Sequence, residues 1–193
     1  MKSESSSPLD PRDELVEHLG VLRAFAVSLC RNPTQADDLV QETVMKAWKS
    51  IDKFEPGTNM RAWLFTILRN TYYSIHAKSK REVDDADGSL VDGLTVKPAH
   101  DGRLAYSDFL DAFQELPDEQ REALTLVGAS GFTYEEAAEM CGVAVGTIKS
   151  RVGRARQRLV DLLELSPDDS LELTDASTLA ALVSGPQTGQ NVA

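Results

Sequence analysis

The chain has 193 residues with 31 Asp and Glu against 20 Lys and Arg, so its formal net charge at pH 7 is −11. An apolar fraction of 41% is sufficient for hydrophobic cores, and 26% charged residues are typical of a soluble protein. No continuous apolar run has membrane-spanning length, which excludes a transmembrane protein and predicts no membrane partner.

The first residues, MKSESSSPLDPRDE, have no apolar segment behind Lys2, so we expect a short disordered lead and no secretion signal. Cys30 and Cys141 are the only cysteines, and without an export signal both are expected to be reduced thiols. The three histidines share no ligand spacing with either cysteine, so neither a metal nor another cofactor is predicted. The cytoplasm is the expected compartment.

Helical patterns run from Asp10 to about Lys80. Asp10-Pro11 and Asn32-Pro33 each place a capping side chain before a proline that suits the first helical turn, so both predict helix starts. The Pro-Gly pair within FEPGTN, Phe54 to Asn59, predicts a turn.

Two of these helices are predicted from apolar residues at spacings of three and four, which indicate an amphipathic helix. The stripe behind Asn32-Pro33 comprises Leu39, Val40, Thr43, Val44, Ala47, Trp48 and Ile51. The stripe behind FEPGTN comprises Trp63, Leu64, Ile67, Leu68, Tyr72 and Ile75.

The character of the chain changes between Glu82 and Asp101, where clustered aspartates, glycines and a proline predict a flexible acidic linker. Helical periodicity resumes at Leu104, and Pro117 suits the first turn of a further helix. After Leu165 the chain is an acidic, small-residue tail whose pattern allows one short helix at 179–183. No strand is predicted, so the fold class is all-α, with two small helical domains joined by the acidic linker.

The segment GFTYEEAAEMCGVAVGTIKSRVGRARQRL predicts two helices joined by a tight turn. Thr133 and Glu136 have the spacing of a capping box, and Gly142 supplies the backbone freedom for the turn. The second helix is expected to bury Val145, Ile148, Val152, Ala155 and Leu159. The opposite face is polar and basic, as in a helix-turn-helix that binds DNA.

The predicted DNA-reading residues of this face are Thr147, Lys149, Ser150, Arg151, Arg154 and Arg158. Arginine pairs with guanine in the major groove, Ser and Thr contact base edges or phosphates, and the remaining cations neutralise phosphates. Lys149 and Arg156 lie nearer the packed flank, where pairing with neighbouring acids competes with a phosphate contact. A solvated basic face without function is the simpler alternative, and the coincidence of capping box, glycine turn and excluded acids argues against it.

Two segments resemble one known family. The run from Asn32 to Asn70, NPTQADDLVQETVMKAWKSIDKFEPGTNMRAWLFTILRN, resembles region 2 of the extracytoplasmic-function (ECF) sigma factors, promoter-recognition subunits of bacterial RNA polymerase. The run LPDEQREALTLVGASGFTYEEAAEMCGVAVGTIKSRVGRARQRL resembles region 4 of that family. LFTILRNTYYSIHAKSKREVDDADG further resembles the general-stress-response (EcfG-type) subgroup.

The resemblance implies a division of the chain into region 2 at 10–82, a linker at 83–103, region 4 at 104–165 and a tail at 166–193. It implies that region 2 contacts the β′ clamp helices of core polymerase and the −10 element. Region 4 is implied to contact the −35 element and the β flap. It also implies control by a NepR-like anti-sigma factor.

The residues that the resemblance assigns to region 2 fall into two groups. The group implied to bind core polymerase is Asp38, Leu39, Gln41 and Glu42, of which Leu39 is equally well explained as a core residue. The group implied to bind the −10 element is Thr58, Asn59, Arg61, Asn70, Lys78 and Arg81.

The alternatives to a sigma factor are a decoy protein and an enzyme. A decoy that only sequesters an anti-sigma factor would not need the basic helix. A gel shift of the C-terminal domain on promoter DNA distinguishes a decoy from a sigma factor, because the absence of sequence-selective binding would favour the decoy. An enzyme such as a nuclease needs a carboxylate cluster, a nucleophile–base pair or a metal site. None is evident in the sequence, so we predict a transcription factor without catalytic activity of its own.

Overall fold

The computed structural model describes residues 11–84 and 101–164, and the regular structure in these two ranges is helical. The α-helices there are α1 (Pro11–Glu17), α2 (Leu19–Cys30), α3 (Pro33–Lys49), α4 (Met60–Asp84), α5 (Asp101–Gln114), α6 (Asp118–Leu124), α7 (Tyr134–Cys141) and α8 (Val145–Leu162). A 3-10 turn (Ile51–Lys53) follows α3, and a π-helical turn (Thr125–Ala129) follows α6. We refer to 11–84 as the N-terminal region and to 101–164 as the C-terminal region.

The predicted helix starts at Pro11 and Pro33 are confirmed. The Asn32 side chain accepts hydrogen bonds from the backbone amides of Thr34 (2.9 Å) and Gln35 (3.1 Å), which would otherwise lack partners at the start of α3. The predicted turn at FEPGTN is also confirmed. Gly57 has φ 89°, a backbone conformation that residues with a Cβ atom rarely adopt.

The core of the N-terminal region lies among α2, α3 and α4. Phe25 of α2 stacks on Phe65 of α4 with 4.8 Å between ring centroids, and Leu64 and Leu68 are fully buried beside them. Offset aromatic pairs of this kind add about 1 kcal/mol beyond their buried area.

Two residues of the predicted apolar stripes are exposed instead: Trp48 and Ile75 each keep 52% of their surface. The buried side of α3 ends on Ala47, so Trp48 is turned about 100° away from the core. On α4, the Tyr72 hydroxyl donates to the carbonyl of Leu29, near the end of α2. Ile75 follows Tyr72 by almost one helical turn and therefore lies beyond the end of the helix against which α4 packs.

The predicted linker is shorter than expected at both edges, because α4 continues to Asp84 and α5 begins at Asp101. Pro117 precedes α6 as its capping residue and does not occupy its first turn. The predicted disordered lead, the rest of the linker, and the tail with its short helix at 179–183 lie outside the described residues.

The two regions pack against each other. Phe65 of the N-terminal region meets Phe132 of the C-terminal region edge to face, with centroids 5.0 Å apart. Both rings are buried, and the buried apolar residues of the two regions form one hydrophobic cluster. The described part of the chain is therefore a single closed body built from two regions.

Candidate nucleic-acid interface

The helix-turn-helix predicted from the sequence is present in α7 and α8. Thr133 accepts from the backbone amide of Glu136 (3.1 Å), and the Glu136 carboxylate accepts from the amide of Thr133 (2.9 Å), so the capping box is confirmed. Gly142 ends α7 at φ 66°. The predicted packing stripe of α8 is confirmed, with Ile148, Val152, Ala155 and Leu159 buried and Val145 partly buried.

The opposite face of α8 carries most of the predicted −35 residues. Lys149, Ser150, Arg154 and Arg158 are exposed, and Thr147 is half-buried. The Ser150 hydroxyl donates to the carbonyl of Thr147 (2.9 Å), and the Lys149 ammonium lies 5.6 Å from the centroid of the Tyr134 ring. Ala144 is the N-cap residue of α8, and its side chain cannot accept a hydrogen bond from the first backbone amides of the helix. This face is available to a phosphate backbone and a groove.

Arg151 is arranged differently from the other cations of this face. Its side chain is only 16% exposed and donates to the Glu119 carboxylate at 2.5 Å. Arg151 was predicted to enter the groove, and carboxylate pairing was an open alternative at Lys149 and Arg156; in the structure Arg151 is bound to a carboxylate. The signal for it lay in α6, one helix away in space and 32 residues away in sequence, so helical spacing could not reveal it.

Three predicted −10 residues lie at the turn before α4. Thr58 donates to the carbonyl of Glu55 (2.7 Å), which closes the turn. Asn59 caps α4 by accepting from the amide of Ala62 (3.0 Å), and its side-chain amide donates to Glu136 of the C-terminal region (3.2 Å). Arg61 donates to the carbonyl of Ser130, also in the C-terminal region. In this closed body, Asn59 and Arg61 are already engaged.

The other predicted −10 residues lie further along α4. Asn70 and Lys78 are exposed, while the side chain of Arg81 is outside the described residues. The structure thus brings Thr58, Asn59 and Arg61 together and sets Asn70 apart from them by about two or three helical turns.

The predicted polymerase-binding residues lie on α3. Asp38 and Gln41 are exposed and Glu42 is half-buried, 3.4 Å from Lys46. Leu39 is 3% exposed and belongs to the core, so of the two readings left open for it the structure favours packing. Met45 and Trp48, 53% and 52% exposed, continue the same face at helical spacing. Neither was predicted from the sequence as part of this face, and Trp48 was predicted to be a core residue.

Charged side chains that no sequence pattern singled out lie between the two regions. Arg121 of α6 is fully buried and donates to the carbonyl of Ser28 (2.5 Å) at the end of α2, to that of Leu116 (2.8 Å) and to Asp118 (2.8 Å). Its fourth contact is the carbonyl of Leu29 (3.4 Å), and burial lowers its pKa. A cation placed on the carbonyl end of a helix is favoured by the helix dipole.

Next to Arg121, the Glu122 carboxylate faces α4. It lies 2.8 Å from the Arg69 guanidinium and accepts from the Tyr73 hydroxyl (3.1 Å), with 1% of its side chain exposed. Burial raises the pKa of Glu122, and Arg69, Tyr73 and Arg151 oppose that shift. Arg31, just after α2, also bonds Asp118 of α6 (3.1 Å). We call the cross-region contacts made by Arg31, Arg61, Arg69, Arg121 and Glu122 the seam.

Both cysteines are free and lie near the seam. Burial raises the pKa of each thiol to about 11, with Arg121 opposing the shift at Cys30. Across residues 11–84 and 101–164, no three His, Cys, Asp or Glu side chains are grouped as metal ligands. No helix in the same ranges is long and apolar enough to cross a membrane.

Comparison with known proteins gives two family matches: Sigma-70 region 2 at residues 15–82 and Sigma-70 region 4 at residues 106–159. The chain is 52% identical over 166 residues to "ECF RNA polymerase sigma factor EcfG" of Rhodopseudomonas palustris, covering 83% of this chain and 92% of that protein. It is 33% identical over 162 residues to ECF sigma factor SigM of Bacillus subtilis, covering 81% and 98%.

A solved structure of the sigma factor RpoE in complex with the anti-sigma factor NepR from Bartonella quintana is also similar. Its TM-score is 0.72 at 53% identity, covering 80% of this chain and 96% of that one.

Proposed function

The chain belongs to the ECF family of RNA polymerase sigma factors, and we propose that it binds core polymerase and directs promoter-specific initiation of general-stress-response genes. The polymerase performs the chemistry, and this chain supplies recognition. The observation that carries the proposal is the exposed basic face of α8 behind a capped helix-turn-helix, within the part that matches region 4.

The −35 element is read by α8. Arg154 is the best-placed side chain for a bidentate pair with guanine, because it is exposed on the face opposite the buried stripe. Ser150 and Thr147 lie one and two turns earlier on that face, and Lys149 and Arg158 flank it and serve phosphates. Arg151 joins this set only after leaving Glu119.

The −10 element is opened and read by the turn before α4, with Thr58, Asn59 and Arg61, and by Asn70 on the helix itself. Lys78 and Arg81 track the strand phosphates. Pro56 and Gly57 give this turn the backbone shape that presents its polar side chains to a base.

Core polymerase docks on the exposed side of α3. Asp38, Gln41 and Glu42 supply the polar part of this surface, and Met45 and Trp48 supply apolar area. A large aromatic side chain beside polar residues is the composition of a strong contact point in an interface between proteins. The β′ clamp helices are the proposed partner of this face, and the β flap is the proposed partner of the C-terminal region.

The proposed regulator is an anti-sigma factor of the NepR kind. Support comes from the similarity to a sigma factor solved with NepR and from the 52% identity to an EcfG protein. The site of action is the cytoplasm, where polymerase and promoters are found.

Reconstituted transcription tests the proposal. Purified chain and core polymerase are combined on a template with a GGAAC-like upstream element, with a scrambled upstream element as the matched control. We expect a transcript from the first template only. Absence of a transcript together with absence of binding to core polymerase would overturn the proposal.

A further inference from the structure

Arg151 lies at the edge of the DNA-reading face of α8, where this face meets α6. Around the helix it is about 60° from Arg154 and about 40° from Thr147, at about 100° per residue. Its guanidinium donates to the Glu119 carboxylate at 2.5 Å, and 16% of its side chain is exposed. The length of an arginine side chain brings a DNA phosphate within reach from this edge. The partner of Arg151 therefore decides whether it contributes to DNA binding.

The carboxylates of α6 surround the Arg151 guanidinium. α6 begins with Asp118 and Glu119, and the helix dipole favours acidic side chains in a first turn. Asp118 pairs within the seam, whereas Glu119, with 65% of its side chain exposed, pairs with Arg151. Glu122 lies three residues later in α6, and Arg151 also favours its charged form by lowering its pKa. Arg151 thus interacts with one exposed and one buried carboxylate of the same helix.

A phosphate contact by Arg151 is opposed in two ways. First, the guanidinium has to leave Glu119, and a hydrogen bond between two charged groups is roughly twice as strong as one between neutral groups. Second, the Glu119 carboxylate would then stand without its cation beside the phosphate backbone, which repels negative charge. Arg154 and Arg158 are exposed on the same side of α8 and need no such exchange.

We propose that Glu119 is a positioning residue that withholds Arg151 from the phosphate backbone and thereby lowers the sequence-independent affinity for DNA by one contact. The proposal rests on the proposed function for its consequence. A sigma factor gains promoter affinity when polymerase supplies a second anchor, because linked contacts raise the effective concentration of each. Weak binding by α8 alone leaves the free chain unbound at other DNA and available to polymerase.

The dependence of DNA affinity on salt concentration counts the phosphate contacts. Each contact adds about −0.9 to the slope of log affinity against log salt, which is about threefold to fourfold between about 50 and 200 mM salt. The full chain is titrated over this range with a fluorescent duplex that contains a GGAAC-like element and with a scrambled duplex. This slope reports a released cation, and loss of a merely structural ion pair does not change it.

Glu119→Gln removes the charge and keeps the size of the side chain. We expect it to make the slope steeper by about 0.9 and to raise affinity at the lowest salt by about threefold to tenfold. Both duplexes should gain equally, because phosphate contacts carry no sequence information. A gain on the GGAAC-like duplex alone would contradict the proposal, since it would show that Arg151 reads a base.

Two comparisons isolate the pair. Glu115→Gln removes the same charge from the exposed residue that follows α5, so it measures the effect of net charge alone and should leave the slope unchanged. Combining Glu119→Gln with Arg151→Gln restores the net charge of the wild type and should return the slope to the wild-type value. Circular dichroism establishes that each variant is folded.

Two outcomes overturn the proposal. The first is a slope for Glu119→Gln equal to that for Glu115→Gln. The second is a slope for the double variant that is shallower than the wild-type slope by about 0.9, because Arg151 would then already contact a phosphate in the wild type. The double variant decides the case by itself if Glu119→Gln does not fold.

The proposed function is tested separately by the same titrations. Equal binding of the wild type to the GGAAC-like and scrambled duplexes would contradict promoter recognition. The slopes measured on scrambled DNA would still decide whether Glu119 withholds Arg151.

Discussion

Replacing Arg121 with alanine should destabilise the folded chain more than any surface substitution. Among residues 11–84 and 101–164, Arg121 is the largest fully buried side chain, and its guanidinium donates to three backbone carbonyls and one carboxylate. The net contribution of a hydrogen bond is about 1 kcal/mol, and more when one partner is charged. Four such bonds give about 4 kcal/mol.

The change is measured by thermal unfolding of the full chain, followed by circular dichroism. For a folded body of this size, about 4 kcal/mol corresponds to a decrease in Tm of roughly 10–20 °C. Arg121→Lys is the matched control because it keeps the charge and loses the planar fork that reaches several acceptors at once. We expect this control to recover less than half of the lost stability.

The reasoning would be refuted by an Arg121→Ala protein that melts within about 2 °C of the wild type. That result would mean that hydrogen bonds from water to the carbonyls of Ser28 and Leu29 stabilise the folded chain as much as those from Arg121 do. A lysine variant equal to the wild type would instead show that charge alone matters at this position.

Four further predictions concern the interface, the core and the thiols. Arg154→Ala should weaken binding of a −35 duplex by about 5-fold to 100-fold in a fluorescence titration, and equal loss on scrambled DNA would contradict base reading. Glu42→Ala should weaken binding to core polymerase by roughly threefold to tenfold, with unchanged promoter preference in transcription assays. Gly153→Ala should stabilise the chain by about 0.5–1 kcal/mol in denaturant melts, since no atom lies within 4 Å of the added Cβ and glycine disfavours helices. Cys30 and Cys141, with their pKa raised to about 11, should be mostly protonated at pH 8.5 and react with iodoacetamide about 100-fold more slowly than a free cysteine. Their rates should rise as the pH approaches 11, and a rate unaffected by denaturant would contradict protection by the fold.

The parts of this structure that local chemistry determines were predictable from the sequence. The starts of α1 and α3, the turn at FEPGTN, the capping box at Thr133 and the buried stripe of α8 each depend on residues within one or two helical turns. Those signals were sufficient to predict the helix-turn-helix and the exposed positions of Ser150 and Arg154.

The features that depend on a second helix could not be predicted from the sequence. Arg151 pairs with Glu119 at a separation of 32 residues, and Arg121 reaches Ser28 at a separation of 93. Spacing along one helix contains no information about either partner. Trp48 shows a second limit of the sequence pattern. Its spacing fits the apolar stripe of α3, but spacing alone cannot distinguish the last buried position of a helix from the first exposed one.

The acceptors of Arg121 also bear on how interchangeable the two regions are among related proteins. Two of the four are backbone carbonyls of α2, and every amino acid supplies such a carbonyl, so this contact with α2 would survive the fusion of either region to a foreign counterpart. The neighbouring Glu122 recognises the side chains of Arg69 and Tyr73, which a foreign region would have to supply. In a chimera of two relatives, the contact of Arg121 with α2 should therefore be kept, and the contact of Glu122 with α4 should be lost. Engineers who recombine promoter specificities would need to transfer Arg69, Tyr73 and Glu122 as a set.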